Sequence, residues 1–245
     1  MKLPIAQTIQ ILVKSKELNN LKILHLSDLH INKKTSIKQL NELINICTKL
    51  EFDFAVITGD IIDCKTKYIK GKLQILNTLK KDEKEIYYIS GNHDLFYGLD
   101  DLKKELTNFI FMDNDYKKIL YKNNNILIAG LPDRFSKFFN IKRDEQKIKK
   151  QMLNYASIFI SHQPKDYKIA LASKANLFLC GHTHGGQIFP FHYLVRLIQP
   201  FLAGLFYKEK TAIYVNKGLG TWGIDFRYKA DPEITILKLI AKEVK

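Results

Sequence analysis

The residue types able to hold a metal ion or move a proton fall into five short groups: Ser27-Asp28-Leu29-His30, Gly59-Asp60, Gly91-Asn92-His93-Asp94, His162-Gln163 and Gly181-His182-Thr183-His184-Gly185-Gly186. Asp28 and His30 stand two residues apart, as do His182 and His184. In extended backbone each pair points to one side and can present two donors to one centre or to neighbouring centres. Two divalent cations roughly 3.5 to 4 Å apart need an anionic bridge to offset their repulsion. Asp60, isolated after Gly59 at the end of an apolar run, is the candidate for that bridge. The glycine before it lets the backbone turn tightly and come close to the site. Imidazole, carboxylate and one amide oxygen together suit Mn, Fe or Zn better than an all-oxygen Mg or Ca site. Taken singly, Asp28 or His30 reads as a structural polar residue; taken with Asp60, Asn92, His162, His182 and His184, the grouping points to metal. The sequence carries no nucleophile elbow and no Walker A loop.

These groups need a scaffold. Short runs rich in Ile, Val, Leu, Phe and Tyr recur at 21–26, 54–58, 86–90, 126–130, 157–161, 177–181, 212–216 and 234–239. Their length and near-continuous apolarity predict strands buried on both faces. Between them, helical periodicity marks 37–50 (Ile37, Leu40, Leu43, Ile44, Cys47), 73–79 and 99–106. Strand–helix–strand alternation early in the chain implies an α/β protein, and the later strands lie close enough for an antiparallel portion. The fold expected is a mixed β-sheet or two-sheet α/β sandwich flanked by helices. Each polar group directly follows a predicted strand, and in open α/β sheets the ligand crevice lies outside the carboxyl ends of the strands. Five of the seven histidines (His30, His93, His162, His182, His184) stand there, and only His25 and His192 do not.

The 245 residues suit one large domain or two small ones. With no repeat, low-complexity block or linker, one domain over 1–245 is expected. The 46% apolar and 26% charged fractions are those of a globular chain with a sizeable core, which excludes disorder. Cys47, Cys64 and Cys180 show no metal spacing and read as buried small hydrophobes in a reducing, cytoplasmic setting. The first 20 residues lack a secretion signal, and no run is long enough to span a bilayer. The 39 Lys plus Arg exceed the 25 Asp plus Glu by 14, and only four of the 39 are arginine. That surplus is either a solvated lysine surface from AT-rich coding bias or an attraction to nucleotide, nucleic acid or an acidic membrane face.

The series DxH, GD, GNHD, an isolated His and GHTH, in that order over residues 28–184, resembles the calcineurin-like metallophosphoesterase superfamily. The longer GHTHGGQIFP, with YVNKGLGT and DPEI further on, is similar to the subgroup of bacterial YkuE-like and YaeI-like phosphodiesterases, near one kind of UDP-2,3-diacylglucosamine hydrolase. The resemblance implies that Asp28, His30 and His184 hold a first divalent ion, that Asp60 bridges, and that Asn92, His162 and His182 hold a second. It implies that His93 stabilises the attacked phosphoryl group or protonates the leaving oxygen, with Asp94 orienting its ring. The reaction implied is direct attack of a metal-bridging hydroxide on phosphorus in a phosphodiester or pyrophosphate bond, with Mn the first choice of metal and Fe or Zn the alternatives. A phosphate-ester substrate is implied, lipid-linked in the manner of UDP-2,3-diacylglucosamine. The alternatives are a nuclease or broad-specificity phosphodiesterase and, last, a non-catalytic scaffold of the same fold. Nucleic acid ranks behind lipid because no basic stripe is interleaved with aromatics.

Outside the motifs, residues 189–206 (FPFHYLVRLIQPFLAGLF) are strongly apolar but broken by His192, Arg196, Gln199 and two prolines. Either this segment packs into the core or it forms an apolar flap at the rim of the site. As a flap it would grip acyl chains or dip into a bilayer, with Lys208 and Lys210 meeting anionic headgroups, which would place the protein peripherally on the inner face of the membrane. His25 reads as a packed or hydrogen-bonded histidine and Asp63 as a turn or capping residue, although it could also hydrogen-bond a ligand. Arg227 is open between a surface salt bridge and contact with a substrate phosphate.

Overall fold

The computed structural model describes residues 3–81, 83–190 and 192–242. In chain order its strands are β1 (Gln7–Val13), β2 (Lys22–Leu26), β3 (Phe54–Ile57), β4 (Ile86–Tyr88), β5 (Phe109–Phe111) and β6 (Asp115–Tyr121), then β7 (Asn124–Gly130), β8 (Ala156–Ile160), β9 (Leu177–Cys180), β10 (Gly204–Lys208), β11 (Thr211–Val215) and β12 (Thr235–Ala241). Its α-helices are α1 (Ile37–Thr48), α2 (Lys70–Asn77), α3 (Asn92–Tyr97), α4 (Leu99–Glu105), α5 (Glu145–Met152), α6 (Tyr167–Ala172) and α7 (His192–Ile198).

Two six-stranded sheets result, in the orders β1-β12-β2-β3-β4-β5 and β10-β11-β9-β8-β7-β6. In the first, β2 to β5 run parallel and β12 is antiparallel to β2. In the second, β7, β8, β9 and β11 run parallel while β6 and β10 close the edges antiparallel. Because side chains alternate along a strand, each sheet has an inner and an outer face. Ile23, Val56, Tyr87 and Leu237 of the first sheet meet Ile128, Ile158, Leu179 and Tyr214 of the second in a shared core. The outer residues Leu24, Leu26, Ala55 and Ile57 are covered by Leu40 and Leu43 of α1, Leu73 and Leu76 of α2, and Leu99 and Leu102 of α4. On the other side Leu127, Phe159, Phe178 and Ile213 are covered by Ile148 and Met152 of α5 and by Ile169 and Ala170 of α6. The molecule is thus the expected two-sheet sandwich with helices on both outer faces, an arrangement that lets each sheet bury both of its sides.

All eight apolar runs form strands, and the three helical segments form α1, α2 and α4 within a few residues of their expected ends. The strands that apolarity did not mark are β1, β5, β6 and β10, and each lies at an edge of its sheet. An edge strand keeps solvent on part of its surface, so its sequence need not be continuously apolar; β6 has only exposed and half-buried positions. Among the described residues, no helix is long and apolar enough to cross a membrane.

Candidate metal centre

The five polar groups extend the carboxyl ends of β2, β3, β4, β8 and β9. Backbone bonds hold the first two side by side: Asp28 N–H donates to Gly59 O at 3.0 Å, and His30 N–H to Asp60 O at 3.0 Å. Across the sandwich, His182 N–H donates to Asp28 Oδ2 at 3.0 Å. Asp28, His30, Asp60, His182 and His184 all have positive φ, between 46° and 72°. For a residue with a Cβ this conformation costs about 1 kcal/mol or more, and such strain collects at functional sites, where the surroundings over-determine it. Gly59 sits at φ +90°, and a Cβ there would lie 2.5 Å from His162 Nδ1, so only glycine lets the Asp60 loop approach β8.

Three groups of donors result, each with its ligand atoms within 4.8 Å of one another: Asp28, His30 and His184; His30, Asp60 and His93; and Asp60, His162 and His182. His30 Nε2 faces His184 Nε2 at 3.1 Å, and His162 Nε2 faces His182 Nδ1 at 3.1 Å. Asp60 Oδ2 lies 3.7 Å from His30 Nε2 and 3.2 Å from His162 Nε2, so this carboxylate stands between the two histidine pairs. Asp28 Oδ1 and Asn92 Oδ1 are buried and accept no hydrogen bond. Each such orphan costs about 1 to 3 kcal/mol unless something compensates. Ring nitrogens converging on one another beside unpaired oxygen acceptors fit cations held between them. His162 is also oriented from behind: its Nδ1 donates to Thr58 O at 2.6 Å, which turns Nε2 toward Asp60 and His182.

The buried charges treat the rings differently: burial opposes charge on His162, but the Asp60 carboxylate outweighs it and raises the His162 pKa well above the imidazole range. Burial holds the His182 pKa down to about 3, with His162 adding repulsion. Burial, then His30 and Arg227, hold His184 well below the imidazole range. Both rings therefore stay neutral with a lone pair available. Burial also raises the Asp28 pKa, while for Asp60 the neighbouring histidines, His162 foremost, outweigh burial and keep the carboxylate ionised.

His93 N–H donates to Asp60 Oδ1 at 2.8 Å, and the ring is partly exposed above the Asp60 group. Its orienting partner differs from the expectation. His93 Nδ1 meets Asp63 Oδ1 at 2.8 Å, whereas the Asp94 carboxylate points the other way. Asp94 accepts the backbone N–H groups of Asp60, Ile61, Ile62 and Gly91 at 2.7 to 3.1 Å and the Tyr88 hydroxyl. As the third residue of α3, it caps that helix and fastens the Asp60 loop to it. Burial and the Asp60 charge push its pKa up to about 6. Burial opposes charge on His93, but the Asp63 hydrogen bond and the Asp60 carboxylate outweigh it and raise the pKa.

Among the described residues Arg227 makes no salt bridge. Its guanidinium donates to the carbonyls of Gly220, Lys217 and Ala230 and places Nη2 3.0 Å from His184 Nδ1, tying the 217–230 loop to the candidate centre. Residue spacing held a hint of Asp63, which stands three positions after Asp60, but nothing local distinguished it from a turn residue.

Residues 21–186 match the Calcineurin-like phosphoesterase family model. A metallophosphoesterase of Campylobacter jejuni is 37% identical over 230 residues, covering 91% of this chain and 60% of the relative. The metallophosphoesterase YkuE of Bacillus subtilis is 31% identical over 230 residues, covering 89% of this chain and 78% of the relative. The chain therefore spans about 60% of the length of the Campylobacter relative. In fold it is similar to a dimetal phosphatase of Danio rerio, with a TM-score of 0.54, 10% identity and coverage of 82% of this chain and 88% of that one. With the family model covering β2 to β9 and all five donor loops, the chain belongs to the calcineurin-like phosphoesterase family of metallophosphoesterases.

Proposed function

We propose that the chain is a dinuclear metal-dependent hydrolase of a phosphodiester or pyrophosphate bond. The observation that carries this reading is the Asp60 carboxylate standing between two histidine pairs, together with the buried, unpartnered oxygens of Asp28 and Asn92. Asp28, His30 and His184 would hold one ion, Asn92, His162 and His182 the other, and Asp60 would serve both. The nitrogen and oxygen donors favour Mn, with Fe or Zn as alternatives. When bound, such a pair supplies Lewis acidity toward phosphoryl oxygens and an activated water. His93, held by Asp63, would donate a proton to the leaving oxygen, and its raised pKa keeps that proton available near neutrality.

For the substrate, a lipid-linked phosphate ester such as UDP-2,3-diacylglucosamine, met at an anionic membrane surface, is favoured by the surroundings of the site. The helix α7, directly after the metal loop, has no buried residue among those described, and it exposes Tyr193, Leu194, Leu197 and Ile198. Phe191 lies outside the described residues. The test is Mn-dependent hydrolysis of bis(p-nitrophenyl) phosphate and then of UDP-2,3-diacylglucosamine, with Asp60→Asn as control. Asp60→Asn is expected to lose bound metal and nearly all turnover. Turnover of both substrates by the parent alone supports the full reading. Turnover of the simple diester only would redirect the substrate search, and parent turnover equal to Asp60→Asn would overturn the hydrolase.

A further inference from the structure

On the His162 side of the candidate centre the chain forms a second concavity that the reaction as described does not use. A cleft of about 750 Å³ lies between the turn Arg134–Phe139, the following segment to Glu145, and Gln163 and Lys165. It is built onto the same loops as the candidate metal ligands. Gln163 directly follows His162 and donates from Nε2 to Asp133 at 2.8 Å, and Asp133 in turn caps the turn by accepting Phe135 N–H at 2.7 Å. The helix α3, which begins at Asn92, packs against that turn.

The lining is cationic. Arg134, Lys137, Lys142, Arg143 and Lys165 face it. Among the lining residues Glu145 is the one carboxylate, and two fully buried carboxylates stand behind the wall: Asp133, bonded to Gln163, and Asp166. Asp166 takes Arg134 Nη1 at 2.7 Å and Arg143 Nη2 at 2.8 Å, and it also accepts the hydroxyl of Ser161, the residue before His162. This clamp consumes the Asp166 charge and fixes both guanidiniums in the wall. Among the described residues, none of Lys137, Lys142 and Lys165 has a carboxylate within 4 Å. The hydroxyl of Ser136, a fully buried residue of the same wall, also has no hydrogen-bond partner. Three ammonium groups without a carboxylate partner, that of Lys137 resting over the Phe138 ring at 4.8 Å, repel one another around one concavity and focus a positive potential into it, which an anionic ligand relieves. Two rigid guanidiniums and three mobile amines are the recognition chemistry of a phosphoryl group.

We propose that this cleft is an anion subsite that takes a second phosphoryl group of the substrate, one borne on the part of the molecule lying toward His162 and Asn92. The proposal rests on the phosphoesterase reading for its link to turnover, but binding at the cleft is measurable without turnover. A lone terminal phosphodiester would leave the subsite empty; a substrate with a further phosphate would fill it.

The test compares the Mn-loaded parent with Lys137→Ala/Lys142→Ala/Lys165→Ala, using the p-nitrophenyl ester of thymidine 5′-phosphate with and without a 3′-phosphate. The parent is expected to show a KM at least tenfold lower for the 3′-phosphorylated ester. The triple variant should lose that advantage while its kcat, and its KM for the plain ester, stay within twofold of the parent. A parent with no preference, or a variant that slows both esters equally, overturns the proposal. Equilibrium dialysis of thymidine 3′,5′-bisphosphate against thymidine 5′-phosphate decides independently of turnover. A tenfold or greater preference for the bisphosphate that vanishes in the variant supports the subsite, and equal binding overturns it. Variant-sensitive binding of inorganic phosphate alone, with both esters treated alike, overturns it in favour of a site for free phosphate. If the parent turns over neither ester, dialysis alone decides the cleft, and the hydrolase reading fails only if bis(p-nitrophenyl) phosphate is not turned over either.

Discussion

At the scale of single residues, the division of labour between two neighbouring carboxylates decides how the proposed proton donor works. Asp63 holds the ring of His93, while Asp94 gathers four backbone N–H groups and never reaches that ring. Replacing His93 by Ala should leave the metal content unchanged and lower kcat roughly 100-fold, the usual scale for a general acid. Asp63→Asn keeps the size of the side chain but removes the charge that raises the His93 pKa, so the imidazolium is lost at lower pH. The alkaline limb of the kcat–pH profile should then move to lower pH, with metal content again unchanged. Loss of metal in His93→Ala would assign that ring to the ligand set instead. An unmoved alkaline limb in Asp63→Asn would remove His93 from proton transfer. The sequence allowed a ligand-bonding role for Asp63 and favoured a turn, because choosing between them depends on where a loop from β3 meets a helix from β4, which no local spacing encodes.

At the scale of elements, His25 shows how a strand interior that carries no chemistry still adds to the acid sensitivity of the fold. It lies fully buried in β2, with Nε2 3.0 Å from Thr58 Oγ1 of the neighbouring loop and its ring edge-on to Tyr214 of the opposite sheet. Nδ1 has no partner, and burial holds the pKa down to about 3. The unfolded chain takes up a proton near the ordinary value of about 6.5. Between those two values the unfolded state therefore binds more protons than the folded one, and stability falls as pH drops, by up to about 1.4 kcal/mol per pH unit from this group. Denaturant unfolding from pH 7 to pH 4 should show the parent losing stability more steeply than His25→Gln, which can still bond Thr58 but cannot charge. Parallel curves would assign the acid loss elsewhere. The central strands around His25 were legible because burial on both faces leaves a continuous apolar run, and the donor loops were legible because they follow those runs. The edge strands β1, β5, β6 and β10 were not, since partial exposure removes the signal. Nor were the positive φ angles of Asp28, His30, Asp60, His182 and His184, which arise from packing between loops rather than from residue type.

At the scale of the whole molecule, the feature still to be placed is an apolar rim beside the candidate centre. Residues 189–206 divide between the two readings their composition allowed: Gln199 and Phe201 are buried, whereas α7 is bare, with Leu197 82% exposed. A second loop continues the rim with Ile224, Phe226, Tyr228 and Trp222, the last 60% exposed. Gln187, three residues after His184, bonds the carbonyls of Trp222 and Ile224, and Phe189 N–H bonds Tyr228 O, so both halves are fastened to the metal loop. Lys229 lies over the Phe189 ring at 4.7 Å, and the chain carries a net charge of +14. Burying one such side chain is worth about 1.5 to 3 kcal/mol, so a few of them entering an interface, aided by cations meeting anionic headgroups, suffice for reversible attachment. Trp222 is the only tryptophan in the sequence, which makes it a built-in reporter. Adding vesicles of anionic phospholipid should shift its emission to the blue, and high salt or zwitterionic vesicles should weaken the shift. Leu197→Ser/Ile198→Ser leaves the reporter in place and should weaken vesicle binding at least tenfold in sedimentation, while hydrolysis of a small soluble diester stays within twofold of the parent. No shift on saturating anionic vesicles, or equal sedimentation of parent and variant, would show that the rim does not meet a bilayer.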